Sequence, residues 1–292
     1  MPRQSFADLN LILPRSSAKT SLTSRMPLLV KDTVRAMWAS GIATVALARV
    51  AYGIPAKDFR CDFDPRKFQA EVAASGPSSS VAGCPPKAPI SILSRLTVVA
   101  ETPEDLIKET SFDVLSSFDL VAVQPTSQQT FQLACERSEV DLIVLDCTNK
   151  LPFHLSPKLV QLARKRGLRF ELAYAPSLKT PSSRRHLFAA ARSLGQLVSG
   201  STIVISSGAT EAIHTRGPHD VSNLANLLGL TKQPHECNAG TPGKVVERAR
   251  IRVMRNSGVS VAAHASELEG EGEVDGKEPS SNEKKTAKRK RE

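Results

Sequence analysis

Short apolar runs that alternate with amphipathic stretches predict an α/β protein. The expected form is a closed or nearly closed barrel of about seven parallel strands with helices outside, and a doubly wound open sheet is the alternative. Two observations carry this expectation. The runs are rich in Val, Ile and Leu and bounded by small or turn-forming residues, as strands buried on both faces are. The chain has 292 residues and 40% hydrophobic content, enough for one large domain or two small ones.

The elements follow in order. Phe6 to Ile12 is the first strand, and Pro14 to Ser24 is a polar loop. Val30, Val34, Met37 and Trp38 form the apolar face of a helix that Gly41 ends, and Ile42 to Val50 is the second strand. Residues 53–89 hold a short charged piece and then a run dense in Pro, Gly and Ser, which predicts a surface insertion with a mobile loop. Ile90 to Ala100 is the third strand. Its embedded Arg95 must reach solvent, a carboxylate or an anion such as an RNA phosphate, so an edge or barrel-end position is expected. Pro103 opens a helix through Leu115, and Leu120 to Val123 is the fourth strand. A helix over Thr130 to Arg137, a fifth strand over Leu142 to Cys147, a helix over Pro157 to Arg166 and a sixth strand over Arg169 to Tyr174 come next. A helix from about Ser182 to Val198 leads into the seventh strand, whose core is Ile203, Val204 and Ile205. After a polar loop, Val221, Leu224, Leu227 and Leu228 repeat at helical spacing until Gly229. Pro242 to Arg255 is a last, strongly basic helix. Residues 1–256 are therefore one domain, and residues 257–292 are a charged tail expected to be disordered.

The formal net charge is +10, which favours a polyanionic partner such as nucleic acid. From Glu267 onward eight acidic and seven basic side chains nearly cancel, so the folded part carries about +11 and presents a basic surface. Aromatic content of 4% argues for phosphate contacts by Arg and Lys over base stacking. The five cysteines form no CxxC pair, and reduced thiols are expected. The histidines form no HxH or HExxH, and no Gly-rich phosphate loop follows a strand. No cofactor or metal is expected. The sequence holds no signal-peptide pattern or long apolar run, so an intracellular, soluble protein with no membrane partner is expected. The final basic cluster, Lys284 to Arg291, reads as a nuclear localisation patch or a generic basic arm.

Two groups are candidate sites. Lys179, Arg184 and Arg185 follow the sixth strand and begin a helix, where backbone N–H groups add to their charge for a phosphate. The loop after the seventh strand carries Arg216, His219 and Asp220 at the mouth of an α/β unit. Asp220, just before Val221, is expected to cap the helix start and to hold Arg216. A solvated helix start is the alternative for the first group, and a solvated loop with a helix-capping Asp for the second.

Several segments together resemble one family. They are Phe6-Ala7-Asp8-Leu9, Ser94-Arg95-Leu96-Thr97, Phe118 to Val123, Lys150-Leu151-Pro152-Phe153, Arg166-Gly167-Leu168, and the stretch from Ser206 through Arg216-Gly217-Pro218-His219-Asp220 to Leu230. This pattern is similar to the thirty-kilodalton TIM-barrel-type protein subunit family of ribonuclease P and ribonuclease MRP. The resemblance implies a non-catalytic, RNA-binding subunit of a ribonucleoprotein that removes the 5′ leader from precursor tRNA and, through MRP, processes rRNA. It further implies partnership with the RNase P/MRP RNA, precursor tRNA and other protein subunits, and residence in the nucleus, notably the nucleolus. Barrels of the polymerase and histidinol phosphatase (PHP) type, which that family resembles in fold, carry metal histidines on the first strand. The corresponding places here look like Asn10 and Ile12. A PHP-like hydrolase and a barrel serving only as a protein scaffold are the alternative functions.

Overall fold

A computed structural model describes residues 5–14, 28–55, 59, 61, 63–76, 88–107, 112–136, 140–198, 200–230 and 234–256. The tail and most of the Pro/Ser run before Pro89 lie outside the described residues. The strands are β1 (Phe6–Ile12), β2 (Ile42–Tyr52), β3 (Ser91–Ala100), β4 (Leu120–Pro125), β5 (Leu142–Leu145), β6 (Arg169–Ala173) and β7 (Ile203–Ser206). Between them lie α1 (Leu28–Ala39), α2 (Pro65–Ser75), α3 (Glu104–Ile107), α4 (Phe112–Ser116), α5 (Gln128–Glu136), α6 (Pro157–Lys165), α7 (Ala175–Lys179) and α8 (Pro181–Gly195). After β7 come α9 (Pro218–Leu227) and α10 (Gly240–Asn256).

The strands pair in sequence order, all parallel. The seam between β1 and β7 closes the sheet into a nearly closed barrel through one short bridge. There Leu11 lies beside Ala209, and the Ile12 N–H donates to the Ala209 carbonyl at 2.8 Å. The closed form thus prevails over the doubly wound alternative.

Strand alternation sorts the side chains into two populations. Leu93, Leu120, Ala122, Leu142, Val144 and Val204 belong to an interior cluster with Ala7, Leu9 and Ala46. Their neighbours Val121, Val123, Ile143, Leu145, Ile203 and Ile205 pack outward with helix residues such as Phe131, Val160 and Leu187. Val34 and Met37 of α1 cover Val45 and Leu47 of β2. Val245 and Ala249 of α10 join the interior cluster, so this helix plugs the end of the barrel where the strands begin.

An ion pair fastens the plug. Arg252 Nη2 lies 3.0 Å from Asp141 Oδ2, with side-chain exposures of 8% and 0%. Arg252 Nε also donates to Asp141, Nη1 reaches the Leu115 carbonyl and Nη2 those of Phe118 and Asp119 just before β4, and Asp141 accepts from the Val121 N–H at 2.9 Å. Arg248 donates to the Arg166 carbonyl at 2.6 Å. Part of the charge of this basic helix is therefore structural.

Some elements differ from expectation. The charged piece inside residues 53–89 forms α2, because Asp64 accepts from the N–H groups of Arg66 and Lys67, Pro65 starts the turn, and Phe68 and Val72 bury one face. The single helix expected over Pro103 to Leu115 is two short ones, α3 and α4. The short α7 was not anticipated: Pro176 sits in its first turn, and the Ser177 hydroxyl donates to the Tyr174 carbonyl at 2.7 Å.

Candidate nucleic-acid interface

The interior carries one polar layer. Arg95 and Glu171 share the inward parity of Leu93 and Val204, and both side chains are 0% exposed. Arg95 Nη1 donates to Glu171 Oε1 at 2.7 Å and to the Leu9 carbonyl at 2.6 Å. Its Nη2 donates to Glu171 Oε2 at 2.5 Å, and its Nε to the Thr97 hydroxyl at 3.0 Å. The Ser206 hydroxyl donates to the same carboxylate at 2.5 Å. Four strands, β1, β3, β6 and β7, are joined by this one group of contacts. Arg95 is therefore neither at an edge nor open to an RNA phosphate, because its donors are committed inside the barrel. Glu171 was absent from the candidates, although its position between Phe170 and Leu172, both outward-packing, marks it as inward-facing.

Above this layer, Asp8 of β1 holds the start of the loop after β7. Its carboxylate accepts from the Ser207 N–H at 3.1 Å and the Asn10 N–H at 3.1 Å. Burial pushes the Asp8 carboxyl above the usual carboxylate range, those hydrogen bonds oppose the shift, and the charge of Glu171 adds to it. The Ser207 hydroxyl reaches the Asn10 carbonyl at 3.2 Å. Gly208 turns here with φ +60°, and a Cβ on it would lie 2.7 Å from the Ala173 Cβ, so only glycine fits.

The exposed cations stand on the segments that this loop and β6 begin. Tyr174, next after β6, is buried, and its hydroxyl accepts from the Arg216 N–H at 2.9 Å. Burial raises the Tyr174 phenol, so it stays protonated. The Tyr174 carbonyl accepts from Ser177, and the Ser177 carbonyl accepts from Arg184 Nε at 3.3 Å. One chain of contacts therefore joins Arg216 to Arg184. Lys179, Arg184, Arg185 and Arg216 are all exposed, and no carboxylate among the described residues pairs with them. Thr180 caps α8 by accepting from the Ser183 N–H, which fixes where the arginines begin.

The expected partnership of Arg216 and Asp220 is not formed. Arg216 Nη1 donates to the carbonyls of Ile213 and Thr215 at 2.9 and 2.7 Å. Asp220 is exposed in the first turn of α9, and Gly217 stands at the cap with no side-chain acceptor. The helix starts earlier than expected because Pro218 suits its first turn, which moves Asp220 past the capping position. His219 packs edge-on against Phe6 at 5.5 Å and near His235 at 6.3 Å, at the start of β1.

Among the described residues, no group of three His, Cys, Asp or Glu side chains is placed to hold a metal ion. Cys135, Cys147 and Cys237 are buried thiols pushed up to about 12 by burial. No helix among the described residues is long and apolar enough to cross a membrane.

Fold and site together define a TIM-barrel-like protein whose inner polar groups satisfy one another and whose free cations lie outside. The family model "RNase P subunit p30" matches residues 31–253. The chain is 33% identical over 204 residues to mouse ribonuclease P protein subunit p30, covering 68% of this chain and 76% of that protein. It is 30% identical over 156 residues to a probable ribonuclease P protein subunit 3 of Schizosaccharomyces pombe, covering 53% and 65%. A chain in a cryo-EM structure of archaeal ribonuclease P with mature tRNA shares the fold, with TM-score 0.52 and 12% identity over 87% of this chain and 92% of that one. The chain belongs to the ribonuclease P subunit p30 family.

Proposed function

We propose that this chain is a non-catalytic, RNA-binding protein subunit of the ribonuclease P ribonucleoprotein, which removes the 5′ leader from precursor tRNA, and of ribonuclease MRP, which processes rRNA. Its partners are the RNase P/MRP RNA with precursor tRNA and the other protein subunits, and its compartment is the nucleus, notably the nucleolus. Family membership supports the assembly. The observation that carries the RNA-binding role is the exposed set Lys179, Arg184, Arg185 and Arg216, in which Arg184 and Arg216 are tied through Tyr174 and Ser177 and all four lack carboxylate partners among the described residues. Arg184 and Arg216, held by carbonyl contacts yet unneutralised, suit phosphate oxygens. The non-catalytic role is supported by the commitment of Glu171 to Arg95 and Ser206, and of Asp8 to backbone N–H groups, which leaves neither carboxylate for acid–base work.

Reconstitution with Arg216→Ala tests this reading. Leader removal from precursor tRNA should fall several-fold while the melting temperature stays within a degree or two, since Arg216 is exposed. Unchanged processing would remove Arg216 from the interface, and RNA cleavage by the purified chain alone would overturn the non-catalytic role.

A further inference from the structure

A second surface stands apart from these cations. A groove between α8 and α9 is lined by Phe188, Ala189, Gly195, Leu227, Leu228 and Gly229, with Gln196, and its one charged lining residue is Arg192. Phe188 is 40% and Leu227 73% exposed. A Cβ on Gly229 would meet nothing within 4 Å, so the end of the groove is open. A second groove follows the opposite flank of α8 and shares Ala189 and Gln196 with the first. Leu151, Leu155 and Leu197 are among its walls, and its charged or titratable lining residues are Lys150, His154 and His186. Helix α8 is thus a ridge between two apolar grooves whose ionisable lining groups are all basic.

We propose that this ridge docks a neighbouring protein subunit through an acidic amphipathic helix. Apolar side chains of that helix seat against Phe188 and Leu227, and its carboxylates face Arg192. Charge complementarity around an apolar floor selects this partner. A helix laid in a groove offers anchors at i, i+3, i+4 and i+7, which matches an apolar strip walled by two other helices. An RNA strand would leave Leu227 and the glycine end of the groove without a matching group, because phosphate and sugar need donors there. The lysine motif Lys150-Leu151-Pro152-Phe153 also finds a use. Phe153 stacks on Phe131 at 4.7 Å, which holds Lys150 and Leu151 at the second groove.

The test is site-specific photocrosslinking in cells that make the full chain, with benzoylphenylalanine at position 188 and, separately, at position 227. The expected adduct is ribonuclease-resistant, and its sequenced peptide is acidic with apolar residues at helical spacing. Phe188→Glu combined with Arg192→Glu should then reduce recovery of that same protein at least tenfold, with the melting temperature unchanged. An adduct lost on ribonuclease treatment, an adduct to a second copy of this chain, a non-acidic peptide, or no adduct at either position overturns the proposal. The outcome is distinguishable from failure of the RNA-binding reading, because the crosslink is read whether or not Arg216→Ala affects processing.

Discussion

Arg95 in the barrel interior and Arg184 beside its rim have the same side chain in opposite circumstances. The first is 0% exposed and directs its guanidinium at Glu171, Thr97 and the Leu9 carbonyl. The second is exposed, and among the described residues its side chain makes one hydrogen bond, to the Ser177 carbonyl. Inside, desolvation makes a complete set of partners obligatory, and removing one partner strands the other. Outside, water solvates the charge, so the fold does not need it and a ligand can use it. Residue type therefore says little about role until burial is known.

The largest expected effect comes from breaking the inner set. Arg95→Met leaves Glu171 buried without its cation and should destabilise the protein by about 3–5 kcal/mol in denaturant titration. Arg95→Met with Glu171→Leu should recover much of that loss. If the double variant is no better than the single one, the two residues act independently and the inner layer is not a unit.

The plug at the opposite end gives a second buried pair for comparison. Arg252→Ala should cost about 3 kcal/mol by stranding Asp141. Burial already holds the Asp141 carboxyl above its usual range, and Arg252 is the largest of the groups that oppose that shift, ahead of the Val121 N–H and Arg248. A raised folded-state value means that stability is fully present below the unfolded value and is lost as pH rises through the folded one. The deficit of the variant against the native protein should accordingly widen between pH 4 and pH 8. A deficit independent of pH would show that the loss is one of packing alone.

Outside, Arg184→Ala with Arg185→Ala should change stability by no more than about 0.5 kcal/mol. RNA affinity should fall, and the slope of log affinity against log salt should flatten by about 0.7–0.9 for each phosphate that is no longer neutralised. A marked drop in stability would place these arginines with Arg95 and end the contrast.

Asp220→Ala should lower stability by only about 0.3–1 kcal/mol and leave the salt slope of RNA binding unchanged, because the carboxylate interacts with the helix dipole without capping it. A larger loss in thermal melts would mean that Asp220 caps α9 after all.

Much of the barrel was legible in the chain itself. The seven strands, their parallel order and most helices follow from apolar periodicity, because each strand buried on both faces must be apolar and each crossover must bury one helical face. The motifs behind the family resemblance, apart from Phe6-Ala7-Asp8-Leu9, lie within residues 31–253, the span that the family model matches. Lys179, Arg184, Arg185 and Arg216 are legible as loop and helix-start residues, but the connection of Arg216 to Arg184 through Tyr174 is not, since it depends on two segments meeting beside β6. Arg95 was misplaced for a related reason. Strand parity marks it and Glu171 as inward-facing, yet their pairing depends on β3 and β6 facing each other across a closed barrel, which periodicity within either strand does not specify. Local sequence decided which residues alternate and where helices start. Closure of the sheet decided which charges are neutralised inside and which are left to a partner, because Coulomb and desolvation energies depend on distances between segments far apart in the chain.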